Sequence, residues 1–195
     1  MTEINISVLG DSFVTGMGDP NMEGWFGPLK SATIKQLGPI NFFNLGIPNQ
    51  TSLEVCSRVR ELVPRFPKGQ DNRLILAFGL HDTETIDGKP AVANQESTEA
   101  LKQLIIKTKP HFKLLMIGLP PVYEPQRNLR IKRLNGIYRD LCQKAHVPFV
   151  DIYPALAEDV QFKRELAKGD KVFPSISGYM KIFDLISNDR SWWFS

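Results

Sequence analysis

Ile4-Asn5-Ile6-Ser7-Val8-Leu9-Gly10-Asp11-Ser12-Phe13 is the stretch that decides the fold class. Ile4–Leu9 is a short, largely apolar run of the kind that forms a strand buried on both faces. A glycine ends it, and a serine follows at the entrance to a helical segment. Four comparable runs lie downstream: Ile40–Leu45, Leu74–Phe78, Leu114–Ile117 and Val147–Val150. Between them, apolar residues recur at helical spacing. Leu53, Cys56, Val59 and Val63 form one set, and Leu101, Leu104 and Ile105 a second. Leu134, Ile137 and Leu141 lie in a helix predicted over about 128–144, and Ile176, Met180, Phe183 and Ile186 in one predicted over 175–187. Five strands interleaved with helices predict an α/β fold, a five-stranded parallel sheet covered on both faces in a three-layer α/β/α sandwich. The Pro/Gly-rich stretches Pro64–Gly69 and Gly118–Pro125 read as loops inside a single domain spanning 1–195.

Composition narrows the function classes. The chain has 24 Lys+Arg against 21 Asp+Glu, a formal charge of +3, with 42% apolar and 23% charged residues. That balance excludes a disordered chain, and without a concentrated basic patch it gives no case for nucleic acid. No run of 18 apolar residues suggests integral membrane association. The opening Met1-Thr2-Glu3 lacks a basic start before an apolar run, so the expectation is no secretory leader and a cytoplasmic location. Cys56 and Cys142 fall in helical segments and are expected to be buried free thiols. The three histidines are far apart in sequence without ligand spacing, so neither metal nor cofactor is expected.

In a parallel sheet, ligands bind beyond the carboxyl ends of the strands. Gly10-Asp11-Ser12, Gly46-Ile47-Pro48-Asn49, Gly79-Leu80-His81-Asp82 and Gly118-Leu119-Pro120 all follow strand ends, which puts Ser12, His81 and their neighbouring carboxylates on one rim. His111 and His146 precede strands and belong at the opposite end. The glycine-rich turn Gly10–Gly18 has neither the dinucleotide spacing nor the lysine of a nucleotide loop. A serine at a strand-to-helix turn suits acyl chemistry, with backbone N–H groups aimed at developing negative charge.

With Val8-Leu9-Gly10-Asp11-Ser12-Phe13, three further blocks occur in order: Asn44-Leu45-Gly46-Ile47-Pro48-Asn49-Gln50-Thr51-Ser52, Phe78-Gly79-Leu80-His81-Asp82, and Asp170-Lys171-Val172-Phe173-Pro174-Ser175. Together they resemble the GDSL/SGNH hydrolases, a family of esterases, lipases, thioesterases and carbohydrate deacetylases with a flavodoxin-like fold. The resemblance runs from about residue 4 to 187. It implies a small-molecule ester substrate, Ser12 as nucleophile, and an oxyanion hole made of the Ser12 and Gly46 N–H groups with the residue at position 81.

Two signature positions depart from the family. His81 stands where the family has an asparagine that donates to the oxyanion, and Phe173 stands where it has the general base. A phenyl ring takes no proton, so the usual Ser-His-Asp arrangement is incomplete, a loss that typically lowers turnover about 10⁴-fold. Three readings follow: His81 has become the base; His81 is an oxyanion donor in a slow esterase; or the scaffold binds an ester, acyl or sugar ligand without turnover. Asp170 either caps the terminal helix or orients His81. Ile47, Asn49, Tyr123 and Phe173 are the expected pocket walls, and Asp19, Asn21, Glu23 and Trp25 border the entrance or pack. Arg127, Arg130 and Arg133 share a helix face expected to meet solvent. The terminal Trp192-Trp193-Phe194 should pack on its own domain, on a second subunit as a homo-oligomer contact, or on an apolar ligand.

Overall fold

The computed structural model describes residues 3–66 and 68–195. The readings made at Met1, Thr2 and Pro67 lie outside the described residues. Strands β1 (Ile4–Gly10), β2 (Asn41–Gly46), β3 (Asp71–Ala77), β6 (Lys113–Ile117) and β7 (Phe149–Val150) form one parallel sheet in the order β2-β1-β3-β6-β7. A two-stranded antiparallel hairpin, β4 (Thr85–Ile86) and β5 (Lys89–Pro90), follows the third strand. The strand order reverses between β1 and β3, which makes their carboxyl ends the topological switch point of the sheet.

Alternation along each strand feeds two cores. On one face Leu74, Leu76, Leu114 and Met116 meet α3 (Ser52–Ser57), α4 (Val59–Arg65), α5 (Asn94–Thr108) and α6 (Pro125–Lys144). On the other, Ile6, Val8, Ile75, Leu115 and Ile117 meet α1 (Ser12–Thr15), α2 (Phe26–Leu37), α7 (Tyr153–Glu158), α8 (Val160–Lys168) and α9 (Ile176–Ser187). The result is the expected three-layer sandwich. Each fully buried Leu, Ile or Val side chain contributes about 1.5–3 kcal/mol.

Three sequence expectations shift. The stripe over α3–α4 is broken at Arg58, which serves as cap to both helices, so Val55, Val59 and Leu62 are buried while Leu53 is exposed. Pro64 lies in the last turn of α4 rather than in a loop. In α9 the buried face is Tyr179, Ile182 and Ile186, leaving Ile176 and Met180 exposed. The predicted stripe started one step out of phase because Tyr179, amphipathic in sequence, buries its ring and donates its hydroxyl to the Met17 carbonyl at 2.6 Å. Cys142 is buried and Cys56 half-buried, both free. The terminal aromatics pack on their own chain: Trp192 is buried in the α9-side core, and the Arg73 guanidinium lies 4.4 Å from the Phe194 ring centroid.

The switch point is braced from within. A Cβ at Gly10 would lie 1.9 Å from the Ala77 carbonyl oxygen, so only glycine lets β1 and β3 close at this point. Asp11 caps α1, accepting Phe13 N–H at 3.0 Å on one oxygen and Gly79 N–H at 3.1 Å on the other. Asp82 accepts Ser52 N–H at 2.8 Å and Ser97 Oγ–H at 2.6 Å. These two carboxylates join the turns after β1, β2 and β3. Burial raises both above the ordinary carboxylate range, Asp11 to about 6, with the backbone donors pulling the other way.

Because the native Asp11 pKa lies above the ordinary 3.8, the folded chain holds a proton there that the unfolded chain has released. Its contribution to stability therefore declines as pH rises from about 4 to about 6, then levels off. D11N removes that titration, so urea midpoints measured from pH 4 to 7 should show the wild-type chain losing about 2–3 kcal/mol relative to D11N over that interval. Parallel curves for the two proteins would contradict the assignment.

Candidate active site

Ser12 is the first residue of α1 and is almost fully buried at the carboxyl end of β1. Its loop is held by Gly16, which closes α1 with a left-handed conformation at φ 78°, and by Asp19, whose carboxylate accepts the N–H groups of Asn21, Glu23 and Gly24. Asp19 is thus a loop brace rather than an entrance residue. Trp25 is wholly buried and donates Nε1–H to the Phe13 carbonyl at 3.2 Å, the packing role.

The backbone N–H that reaches the serine hydroxyl belongs to Asn49, at 2.7 Å from Ser12 Oγ. The hydroxyl in turn donates to Asn49 Oδ1 at 3.3 Å. Asn49 adopts φ 61°, a left-handed conformation that asparagine tolerates better than most residues, and the Pro48-Asn49 turn aims its N–H inward. Gly46, the backbone donor expected at the oxyanion, has another partner in this structure. The Gly46 N–H is taken by Asn44 Oδ1 at 2.9 Å. Gly46 has a steric role instead: a Cβ there would lie 2.9 Å from Val14 Cγ1, under α1.

His81 opens a single 3₁₀ turn, His81–Thr83, after β3. Gly79 two residues before it is tied to Asp11, and Asp82 immediately after it is tied to Ser52, so the turn is joined to both the Ser12 and the Asn49 loops. His81 Nδ1 lies 3.1 Å from Glu84 Oε2, with the imidazole about a quarter exposed. The carboxylate in contact with the imidazole is that of Glu84. Asp82 turns into the core, and Asp170 Oδ1 accepts Val172 N–H at 2.9 Å and Phe173 N–H at 2.8 Å, holding the loop before α9. Asp170 thus braces the loop that leads to α9, whose N-cap is Ser175.

Phe173 is half-buried against the α3–α6-side core beside Tyr153 and Val172, and its Cβ packs against Gly18 of the serine loop. Half-exposed Tyr123 joins the loop 170–174 through its N–H to the Lys171 carbonyl at 2.9 Å. Ile47 is exposed on the turn that carries Asn49. His111 and His146 are exposed and lie just before β6 and β7, away from the rim. Sequence reading passed over two residues. Glu84 carried a usable signal, its three-residue spacing from His81 on a helical turn. Arg127 was expected in solvent but is buried against the same turn.

The architecture matches known folds over nearly its full length. A lipase/acylhydrolase from Enterococcus faecalis is 23% identical, with a TM-score of 0.77, covering 94% of this chain and 93% of that one. A member of the lipolytic G-D-S-L family from Veillonella parvula is 16% identical, with a TM-score of 0.80 and coverage of 96% and 98%. An acetylxylan esterase from Geobacillus stearothermophilus is 18% identical, with a TM-score of 0.77 and coverage of 100% and 98%. No curated protein matches the sequence. Among the described residues no helix is long and apolar enough to cross a membrane. The GDSL-like Lipase/Acylhydrolase family model matches residues 8–181, and the chain belongs to that family.

Proposed function

We propose that the chain hydrolyses a small or medium acyl ester, with Ser12 as nucleophile, His81 as general base and Glu84 as the group that orients it. The observation that carries this reading is the contact between His81 Nδ1 and Glu84 Oε2. In this reading the Nδ1 proton faces the Glu84 carboxylate, which leaves the lone pair on Nε2. That tautomer is a base. An imidazole serving as a neutral oxyanion donor through Nε2 needs the opposite one.

The steps balance without a cofactor. Ser12 Oγ turns from Asn49 Oδ1 toward the imidazole and attacks the ester carbonyl while its proton passes to His81 Nε2. The oxyanion is met by the N–H groups of Asn49 and Ser12. The tetrahedral species expels the alcohol, which takes the proton from Nε2 and leaves an acyl-serine. Water then attacks that ester, giving a proton to the same nitrogen, and the second tetrahedral species releases the acid as Ser12 Oγ takes that proton back from Nε2. Phe173, at the position where the resemblance puts a base, supplies an apolar wall with Tyr123 and Ile47.

A fluorophosphonate should label Ser12, and S12A should abolish both labelling and ester turnover; a folded chain that is never labelled would instead be a binding scaffold for an ester, acyl or sugar ligand. H81N and H81A should both lower kcat about 10²–10⁴-fold. Activity retained in H81N and raised further by F173H would return His81 to the oxyanion-donor role.

A further inference from the structure

We infer that Arg127 is a positioning residue for the imidazole, acting through Glu84; the inference rests on the reading of His81 above. Arg127 sits in the first turn of α6 with only 6% of its surface exposed. Its Nη2 donates to the Leu80 carbonyl at 2.8 Å and to Glu84 Oε1 at 3.3 Å, while Nε donates to Thr83 Oγ at 3.1 Å. Leu80, Thr83 and Glu84 flank His81 on both sides, so one guanidinium grips the turn that carries the imidazole.

The two oxygens of Glu84 are divided between two partners. Oε1 faces Arg127 and Oε2 faces His81 Nδ1 at 3.1 Å. A half-exposed glutamate gains side-chain entropy by swinging into water, and an isolated contact to an imidazole holds it weakly. The buried guanidinium supplies what is missing: a cation with little access to water, itself anchored on Leu80 and Thr83, whose Nη2 holds one carboxylate oxygen. Because the guanidinium offsets the glutamate charge, the effect falls on orientation and tautomer more than on basicity.

The test is a double-mutant cycle on the full chain with p-nitrophenyl acetate, comparing E84A, R127M and E84A/R127M. R127M should lower kcat about 10–100-fold with KM nearly unchanged, and the double variant should be no slower than E84A. Losses that multiply in the double variant would overturn the inference, since a residue that only stabilises the fold acts independently of Glu84. If R127M does not fold, R127Q, which still donates to the Leu80 carbonyl, replaces it in the cycle. In parallel, nitrogen NMR of histidine-labelled protein reads the His81 tautomer without reference to turnover. Wild type should carry the neutral proton on Nδ1, and both E84A and the Arg127 variant should move population to Nε2. An Arg127 variant that keeps the wild-type tautomer while E84A loses it would also overturn the inference. A normal tautomer response with ester turnover that persists in S12A would sink the proposed reaction alone.

Discussion

Two carboxylates withdrawn from water, Asp11 and Asp82, hold the rim of this sheet together, and the candidate site follows from them. A parallel sheet delivers its strands to one edge but leaves the turns beyond that edge free to splay. Asp11 closes the gap between the turns after β1 and β3, and Asp82 the gap between those after β3 and β2. Each accepts backbone N–H groups that would otherwise be buried without partners, an arrangement that offsets much of the cost of desolvating a carboxyl group. The remaining cost shows as pKa values raised by burial. Ser12, Asn49 and His81 sit one to three residues from these braces, so a rigid polar frame sets their mutual positions.

Much of this was legible in the residues because strand periodicity is a local signal. The five apolar runs mapped onto the five strands, and the rule for carboxyl ends placed Ser12 and His81 on the same rim. Where legibility failed, the missing information was three-dimensional. Gly46 was taken for an oxyanion donor because a glycine after a strand admits that role. The fold uses its lack of a side chain to seat Val14, and the neighbouring asparagine turns its N–H inward instead. Arg127 was assigned to solvent from its charge and helical spacing. Its burial depends on the hydrogen-bond acceptors of the Leu80–Glu84 turn, a segment more than forty residues away in sequence.

The mechanism we propose would move a catalytic arrangement within the frame of this sheet. The loop 170–174 retains its aspartate, which now serves its own backbone, and Phe173 fills the place of a proton acceptor. In the mechanism we propose, the protonatable group comes from the third strand turn, and Glu84 comes with it. Chain order is immaterial to such chemistry; what matters is that a hydroxyl, an imidazole and an acid group share one pocket in the right sequence of contacts.

The most direct measurement is a crystal structure of the chain with Ser12 phosphonylated. The account predicts a phosphonyl oxygen seated on the Asn49 N–H, the Gly46 N–H still turned to Asn44, and His81 Nε2 within about 3 Å of the ester oxygen while Nδ1 stays on Glu84. An imidazole swung out of the pocket, with the phosphonyl group held by other donors, would contradict it.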